Sequence, residues 1–454
     1  MLIIICFMSG CQETNSKMLN NDEKNDISLK LKEFMSAYSE NCSYKYSGAI
    51  LVAKGNELFL NEAYGMANYE ENIPNKTDSV FAIGSITKSF TAAAIMKLQE
   101  QGLLNVNDPI SKYIDGNKRG DDITIHHLLT HTAGLPRDGL FLGKKEVPLD
   151  KNVNMINSYS KLLFEPGEDW AYSNAGYQLL AAIIEKVSGK SYNDYIKDNI
   201  FVPLQMNNTW GGTDDSYANN QSIGYDITTK EPVRLSIYNF SSITGSGNIY
   251  STVEDLYKYE RAIQDRSLLS KESINTIFSP HYGDWSNGYG YGWEITERNG
   301  HKKITHGGNI GGGGYVSTIV RYPEDDYILI FLTNNLDYTA LTTVTDTLEA
   351  IIFGESYVLP EKAKDIQIDS GTLKQYAGEY DLGGGVISVS CKDDKLYATA
   401  DDGNNYELHP IGENKFYYED HECIQVEFAS NSDNATILKV QNASRYFEGK
   451  RINE

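Results

Sequence analysis

Basic residues are scarce in this sequence relative to acidic ones, and the imbalance excludes one class of function. The 454 residues include 40 Lys and Arg against 62 Asp and Glu, a formal net charge of -22 at pH 7. Nucleic-acid affinity rests on Lys and Arg side chains that neutralise phosphates, so we expect no DNA or RNA partner. With 40% hydrophobic and 11% aromatic residues, the chain has enough apolar material for a folded core.

Cysteine is scarce too, with five residues and no Cys-x-x-Cys pair. Zinc sites and dithiol redox centres use such close pairs, and a disulfide scaffold needs a higher density of cysteine. We therefore expect no metal and no cofactor. Cys391 and Cys423 fall in one β-rich region, so a disulfide between them stays open, although two separate thiols fit better. Cys42 has no evident partner.

The apolar run at residues 2–8 is far shorter than the ~18 residues that a membrane-spanning helix needs. It leads into Met8-Ser9-Gly10-Cys11, which resembles the lipobox of bacterial lipoprotein precursors, in which the cysteine is lipidated. Met8 replaces the usual leucine and no Lys or Arg precedes the run, so a frayed apolar terminus is the alternative. We expect a signal peptide over 1–11 and a polar tether over 12–26. The protein would be exported to the bacterial cell envelope, with a lipid anchor on Cys11 as its only membrane contact.

Two predicted hairpins with helices between them indicate an α+β domain over residues 27–354. Strand-like runs at 48–53 and 57–62 flank one turn, and those at 315–322 and 327–333 flank another. Helices are predicted over 85–101, over 176–187, after Ser251 with Glu254 completing a capping box, and over about 341–352. We expect the hairpins to share one antiparallel sheet, with a helical subdomain beside it and the active site in the seam.

The sequence changes character after Pro360. Short alternating runs at 385–390, 396–400, 416–418 and 424–428 are separated by Asp, Asn and Gly. This pattern predicts a separate all-β domain over 361–454.

Ser85 and Lys88 lie at the start of the first long helix of this domain, three residues apart. On a helix this spacing places both side chains on one face, with Cβ atoms about 5 to 6 Å apart. The backbone N–H of a serine at that position has no partner within the helix. A nucleophile, a proton acceptor and an oxyanion donor can therefore converge, although a capping serine and a surface lysine would give the same pattern.

Two further motifs follow in order along the chain. Tyr172-Ser173-Asn174 precedes a helix, and in an extended segment the side chains of Tyr172 and Asn174 point the same way. His306-Gly307-Gly308-Asn309 leads toward the strand at 315 through a glycine-rich stretch that a substrate backbone could approach closely.

In this order the three motifs resemble the serine β-lactamase and penicillin-binding protein superfamily, in particular its class C β-lactamase-like branch of esterases and D-aminopeptidases. The resemblance runs from about 45 to 350 and includes 127–136 (HLLTHTAGLP), 245–255 and a strand at 289–293 (YGYGW). It implies the β-lactamase/transpeptidase-like fold. The C-terminal domain resembles the small lipocalin-like β-barrel often appended to this family.

The resemblance also implies the roles of the site residues. Ser85 would attack a carbonyl and form an acyl-enzyme. Lys88 and Tyr172 would share the proton transfer, and which of them is the general base stays open. Asn174 would hydrogen-bond the substrate amide or orient Lys88.

The third motif would supply the other half of the site and departs from the family pattern at its first residue. The backbone N–H groups of Ser85 and Asn309 would bind the oxyanion, with Gly307 and Gly308 beside the substrate. Many relatives carry lysine where this chain has His306, and in penicillin-recognising members that lysine helps hold the substrate carboxylate. A titratable group replaces a permanent cation, which weakens the case for efficient β-lactam hydrolysis.

Two other kinds of site are weighed and set aside. His127 and His131 have the spacing of a helical metal site and His126 adjoins them, but no companion glutamate is present and 132–136 breaks the helix, so we expect hydrogen bonds within a turn. The glycine run at 307–314 lacks the Gly-Lys-Ser/Thr ending of a phosphate-binding loop.

The sequence thus predicts a serine hydrolase that acts on an ester, an amide or D-amino peptide, or a β-lactam carbonyl. Its partner would be a small molecule or a peptide, peptidoglycan fragments included, and its oligomeric state stays open. A non-catalytic envelope-binding protein that keeps the fold is the alternative.

Overall fold

The computed structural model describes residues 19–137, 145–159, 161–212, 220–227, 231–235, 239–362, 366–383, 385–399, 403, 405–419, 421–430, 436–442 and 445–452. Cys11, the expected signal peptide and residues 12–18 of the expected tether lie outside this part of the chain. Within it, no helix has both the length and the apolar character needed to span a bilayer.

The α-helices are α1 (Asn21–Asn41), α2 (Thr87–Glu100), α3 (Ile125–Leu129), α4 (Leu149–Asn157), α5 (Asn174–Ser188), α6 (Tyr192–Ile196), α7 (Val253–Gln264), α8 (Lys271–Ile277), α9 (Tyr338–Phe353) and α10 (Ser370–Tyr376). The first fifteen strands are β1 (Gly48–Lys54), β2 (Glu57–Tyr64), β3 (Met66–Asn68), β4 (Ile73–Pro74), β5 (Phe81–Ala82), β6 (Trp210–Gly211), β7 (Tyr225–Asp226), β8 (Val233–Arg234), β9 (Ile249–Ser251), β10 (Tyr282–Gly283), β11 (Asn287–Tyr289), β12 (Glu294–Arg298), β13 (His301–Ile310), β14 (Tyr315–Tyr322) and β15 (Tyr327–Thr333). The C-terminal strands are β16 (Gly378–Asp381), β17 (Val386–Lys392), β18 (Lys395–Thr399), β19 (Asn405–Pro410), β20 (Lys415–Tyr418), β21 (His421–Ser430), β22 (Thr436–Asn442) and β23 (Arg445–Arg451).

One antiparallel sheet forms the centre of the first domain, in the order β10-β11-β12-β13-β14-β15-β1-β2. β1 pairs with β15, so the two predicted hairpins do share a sheet, as expected. Side chains of β15 alternate between the two faces. Ile328, Ile330 and Leu332 pack in the core that contains α2 and α5, whereas Leu329 and Phe331 pack with α1 and α9. Helices therefore cover both faces of the sheet.

Helix α1 begins earlier than the sequence suggests. The Asn20 side chain accepts a hydrogen bond from the backbone N–H of Glu23, and the Glu23 carboxylate accepts one from the N–H of Asn20. This reciprocal cap starts the helix at Asn21. Residues 21–26 are therefore helical, and the expectation that the tether extends to residue 26 is wrong.

The helix expected after Ser251 is capped by a different residue. The Thr252 side chain accepts a hydrogen bond from the N–H of Asp255, and α7 begins at Val253. Ser251 is the last residue of β9, where it pairs with Phe81, so it is not a cap. The predicted Ser251–Glu254 capping box is wrong, while the helix itself is confirmed.

The strand expected over 289–293 is instead a tight connection between two strands. Tyr289 ends β11 and Glu294 begins β12. Gly292 has φ 75°, and a Cβ there would lie 2.9 Å from the carbonyl oxygen of Lys88. Only glycine fits this left-handed position without strain. The connection consequently packs directly on the start of α2.

The C-terminal domain is a closed antiparallel barrel of eight strands, β16 to β23 in order, in which β23 pairs with β16. It has its own apolar core, which includes Tyr380, Leu396 and Phe428. The predicted α+β fold and the predicted C-terminal barrel are confirmed. The region expected to be all-β also contains helix α10, whose Leu373 packs in the barrel core.

The barrel also decides the cysteine pairing left open above. Cys391 packs against the barrel core from β17, whereas Cys423 on β21 packs with α1 and α9. The Cys423 sulfur lies 3.0 Å from that of Cys42. A Cys391–Cys423 disulfide is therefore excluded by this fold, and Cys42, for which the sequence offered no evident partner, lies beside Cys423.

The two-sided burial of β15 leads to a stability prediction. Ile330 is completely buried. Ile330→Ala should lower the free energy of unfolding by about 2 to 5 kcal/mol, because it removes apolar contacts and leaves a cavity, and Ile330→Val by about 1 kcal/mol. Urea unfolding of both variants measures this, and equal effects of the two substitutions would contradict the packing described.

Candidate active site

Ser85 and Lys88 meet as the sequence predicts. Ser85 lies in a 3-10 turn, Gly84–Ile86, that continues directly into α2. The Lys88 ammonium nitrogen lies 3.0 Å from the Ser85 hydroxyl and 2.8 Å from the backbone carbonyl oxygen of Ser246. Lys88 is completely buried, whereas Ser85 is half-buried and faces a cavity. The lysine is thus positioned from two sides, with the serine hydroxyl exposed to an incoming molecule.

The turn that carries Ser85 packs directly on β13. Gly84 has φ 52°, and a Cβ there would lie 2.8 Å from the backbone nitrogen of Asn309. From the other side, a Cβ at Gly308 would lie 2.1 Å from the carbonyl oxygen of Ile83. Both positions therefore exclude any larger side chain. This contact brings the backbone of Asn309 next to the turn that contains Ser85.

The second motif reaches the same cavity. Ser173 caps α5, since its side chain accepts a hydrogen bond from the N–H of Gly176, and Asn174 is the first residue of that helix. The Tyr172 ring centroid lies 4.8 Å from the Lys88 ammonium nitrogen and 5.1 Å from the Arg137 guanidinium carbon. The Tyr172 ring therefore lies close to two cationic groups, a favourable environment for an aromatic face.

His306 is buried on β13 and is neutral at physiological pH. Its Nδ1 lies 2.7 Å from the carbonyl oxygen of Gly307, and its Nε2 lies 3.3 Å from the hydroxyl of Tyr289. Burial, reinforced by the charge of Lys88, lowers the pKa of His306 to about 3. The substitution of lysine by histidine therefore removes a cation from this position at neutral pH.

A directional chain of hydrogen bonds joins His306 to the second motif. The N–H of Ser173 donates to Nδ1 of His131, so Nε2 of His131 carries the proton and donates to the Tyr289 hydroxyl, 3.1 Å away. The carbonyl of Gly307 requires a proton on Nδ1 of His306, which leaves Nε2 to accept from Tyr289. Burial keeps the pKa of His131 well below its usual value. Both tautomers are thus assigned by their partners.

The other two histidines of the segment that was weighed as a metal site also form hydrogen bonds, as expected for a turn. His126 Nδ1 lies 2.7 Å from the hydroxyl of Tyr291. His127 accepts a hydrogen bond from the N–H of Thr124 and helps to cap α3. No cluster of three metal-binding side chains occurs in the described ranges.

The cavity in front of Ser85 has a volume of about 840 Å³. The predicted residues that line it are Ser85, Tyr172, Asn174, His306, Gly307, Gly308 and Asn309. Its charged lining residues are Arg137, Glu294 and Asp346, which sequence reasoning missed. Arg137 directly follows the 127–136 segment, and its place next to this family-like segment is the sequence feature that could have identified it as a site residue. The structure thus brings all three motifs to one cavity with a cation on its wall.

Comparison with known proteins gives consistent matches. The Beta-lactamase family model matches residues 31–352. Penicillin-binding protein 4* of Bacillus subtilis is 32% identical over 423 residues, which cover 86% of this chain and 92% of that protein. The octameric penicillin-binding protein homologue from Pyrococcus abyssi is 29% identical with a TM-score of 0.65, over 93% of this chain and 99% of that one. D-amino acid amidase from Ochrobactrum anthropi shares the fold, at 21% identity and a TM-score of 0.64, over 74% of this chain and 99% of that one.

The buried neutral histidine predicts a pH-dependent stability. In the unfolded chain His306 titrates near 6.5 and in the folded protein near 3, so between these values the unfolded chain binds more protons. The free energy of unfolding should therefore fall from pH 7 to pH 5, and this fall should be smaller in His306→Gln by up to about 2 kcal/mol. Urea unfolding at both pH values tests this, and identical falls in the two proteins would show that His306 does not carry the effect.

Proposed function

The chain belongs to the β-lactamase family of hydrolases, which includes penicillin-binding proteins, and we propose that it is a serine hydrolase that forms an acyl-enzyme on Ser85. The observation that carries this proposal is the 3.0 Å contact between the Ser85 hydroxyl and the buried amine of Lys88. A serine hydroxyl becomes an effective nucleophile when an adjacent base accepts its proton. An isolated capping serine would not have a buried lysine held against it.

In the proposed reaction the Ser85 oxygen attacks the substrate carbonyl carbon, and its proton passes either to Lys88 in its neutral amine form or to Tyr172 in its tyrosinate form. The oxyanion is bound by the backbone N–H groups of Ser85 and Asn309, which the close packing of Gly84 on β13 supports. The leaving group departs with a proton, and water then hydrolyses the acyl-enzyme. Asn174 contacts the substrate amide or orients Lys88.

The proposed substrates are esters, amides or D-amino peptides, and β-lactams, with β-lactams turned over poorly. Neutral His306 provides no cation for a substrate carboxylate at the position where penicillin-recognising relatives have lysine. Arg137 offers a cation on another wall of the cavity. We infer that it binds a carboxylate of a peptide substrate, for which guanidinium geometry is well suited. Peptidoglycan fragments carry such groups.

The proposed location is the bacterial cell envelope, with Cys11 as the site of a lipid anchor. The relatives named as penicillin-binding proteins support an envelope location. The sequence before the folded domain supports export, because a short apolar run precedes Cys11.

Labelling of the nucleophile tests the proposed reaction. The purified protein is incubated with a fluorophosphonate, a fluorescent penicillin and p-nitrophenyl butyrate. Ser85→Ala should abolish the adduct in intact-mass spectra and lower ester turnover about a thousandfold or more, because it removes the proposed nucleophile. Ser242→Ala, which alters another serine of the cavity wall, should keep both.

A penicillin adduct that is retained would indicate a penicillin-binding enzyme. Ester turnover without a penicillin adduct would indicate an esterase. A folded wild-type protein that no probe labels would contradict the proposal and favour the alternative of an envelope-binding protein.

The role of Arg137 is tested with acetyl-D-alanyl-D-alanine and its C-terminal amide. Arg137→Gln should raise KM for the free carboxylate about ten- to a hundredfold, because one charge-assisted interaction is lost. The amide should be affected little. Arg137→Lys should retain part of the preference, since it keeps the charge without the two-pronged geometry. An equal loss on both substrates in Arg137→Gln would show that Arg137 acts only on the structure.

A further inference from the structure

Two cysteines that are far apart in sequence meet at the junction of the two domains. The sulfur atoms of Cys42 and Cys423 lie 3.0 Å apart across a separation of 381 residues. Cys42 directly follows α1, where its N–H donates to the carbonyl of Tyr38, and Cys423 lies on β21 of the barrel. Both residues are buried, with relative exposures of 3% for Cys42 and 6% for Cys423.

The neighbouring residues align the two chain segments in antiparallel fashion. Next to Cys42, the N–H and hydroxyl of Ser43 donate to the carboxylate of Glu422 at 2.8 and 2.5 Å. One residue further, the Tyr44 ring stacks on that of His421, with centroids 4.8 Å apart and planes 25° apart. The sulfur contact is therefore the end of a continuous interface, and its position is determined by several independent contacts.

We propose that Cys42 and Cys423 form a disulfide that joins the barrel covalently to the hydrolase domain. The bond length of about 2.05 Å requires only a small approach of the two sulfurs from their present positions. In the reaction both S–H bonds break and one S–S bond forms. The two electrons and two protons pass to a disulfide oxidant, which is reduced to two thiols.

The hydrogen bond to the Cys423 thiol, reinforced by burial, raises the pKa of Cys42. Thiolate, the reactive form, is then scarce in the folded protein. We therefore expect the bond to form while the chain folds in an oxidising compartment, before the junction closes. Cys391 does not compete, because it packs against the barrel core on a strand that is not adjacent to β21.

The disulfide would hold the barrel against one wall of the catalytic cavity. Tyr338, Thr342 and Asp346 on α9 line that cavity and also a smaller one of about 290 Å³ beside the two cysteines. Asp346 forms an ion pair with Arg445 of the barrel at 3.1 Å. The barrel and the catalytic cavity therefore share the same face of α9.

The test uses the full chain, exported to the periplasm of a bacterial host, digested without reduction and examined by mass spectrometry. We expect a linked peptide that contains Cys42 and Cys423 and separates on reduction. In wild type and in the matched control Cys391→Ser, reduction should lower Tm by about 5 °C or more, because the bond closes a very long loop. In Cys42→Ser and Cys423→Ser, reduction should leave Tm unchanged.

Three outcomes would overturn the proposal. Alkylation of both cysteines before any reduction, in exported protein that is folded by circular dichroism, would show that the bond does not form. A Cys391–Cys423 peptide would show a different pairing. An equal loss of Tm on reduction in Cys42→Ser and wild type would show that this bond does not hold the domains together. Because none of these readouts uses enzymatic turnover, they are independent of the proposed function.

Discussion

The candidate site depends on the contact between the turn that carries Ser85 and strand β13. Two glycines, Gly84 and Gly308, allow the backbones to approach so closely that a single methyl group on either would collide with the other chain segment. This contact places the start of a helix, with its N–H groups unpaired within the helix, beside the backbone of Asn309. The nucleophile and both proposed oxyanion donors are therefore held by main-chain packing, which requires no long side chain to be ordered.

Burial then decides the charges around that contact. Lys88 is completely buried beside Ser85, while His131 and His306 are buried and uncharged at physiological pH. As neutral groups they act through fixed hydrogen bonds, linked by the hydroxyl of Tyr289. An additional cation at residue 306 would lie near Lys88 and would have to be desolvated. Histidine avoids this cost, and the cation on the cavity wall is Arg137.

The barrel is connected to this site through helix α9. One face of that helix lines the catalytic cavity, and the same face contacts the barrel through Asp346 and Arg445. The junction at Cys42 and Cys423 lies beside these residues, since all four line one smaller cavity. The second domain therefore contacts the same helix that forms one wall of the catalytic cavity.

The sequence alone determined the features that depend on residues close together along the chain. The hairpin strands, the long helices and the convergence of Ser85 with Lys88 follow from periodicity and spacing, and the order of the motifs along the chain supplied the family resemblance. Pairing of the two hairpins in one sheet followed from burial of apolar strands. The neutral state of His306, the link through Tyr289 and the contact between Cys42 and Cys423 were decided only by the tertiary structure. Both the desolvation of His306 and the approach of the two sulfurs depend on contacts between residues that are distant in sequence. The local spacing of residues does not determine which distant groups come into contact and exclude water from one another.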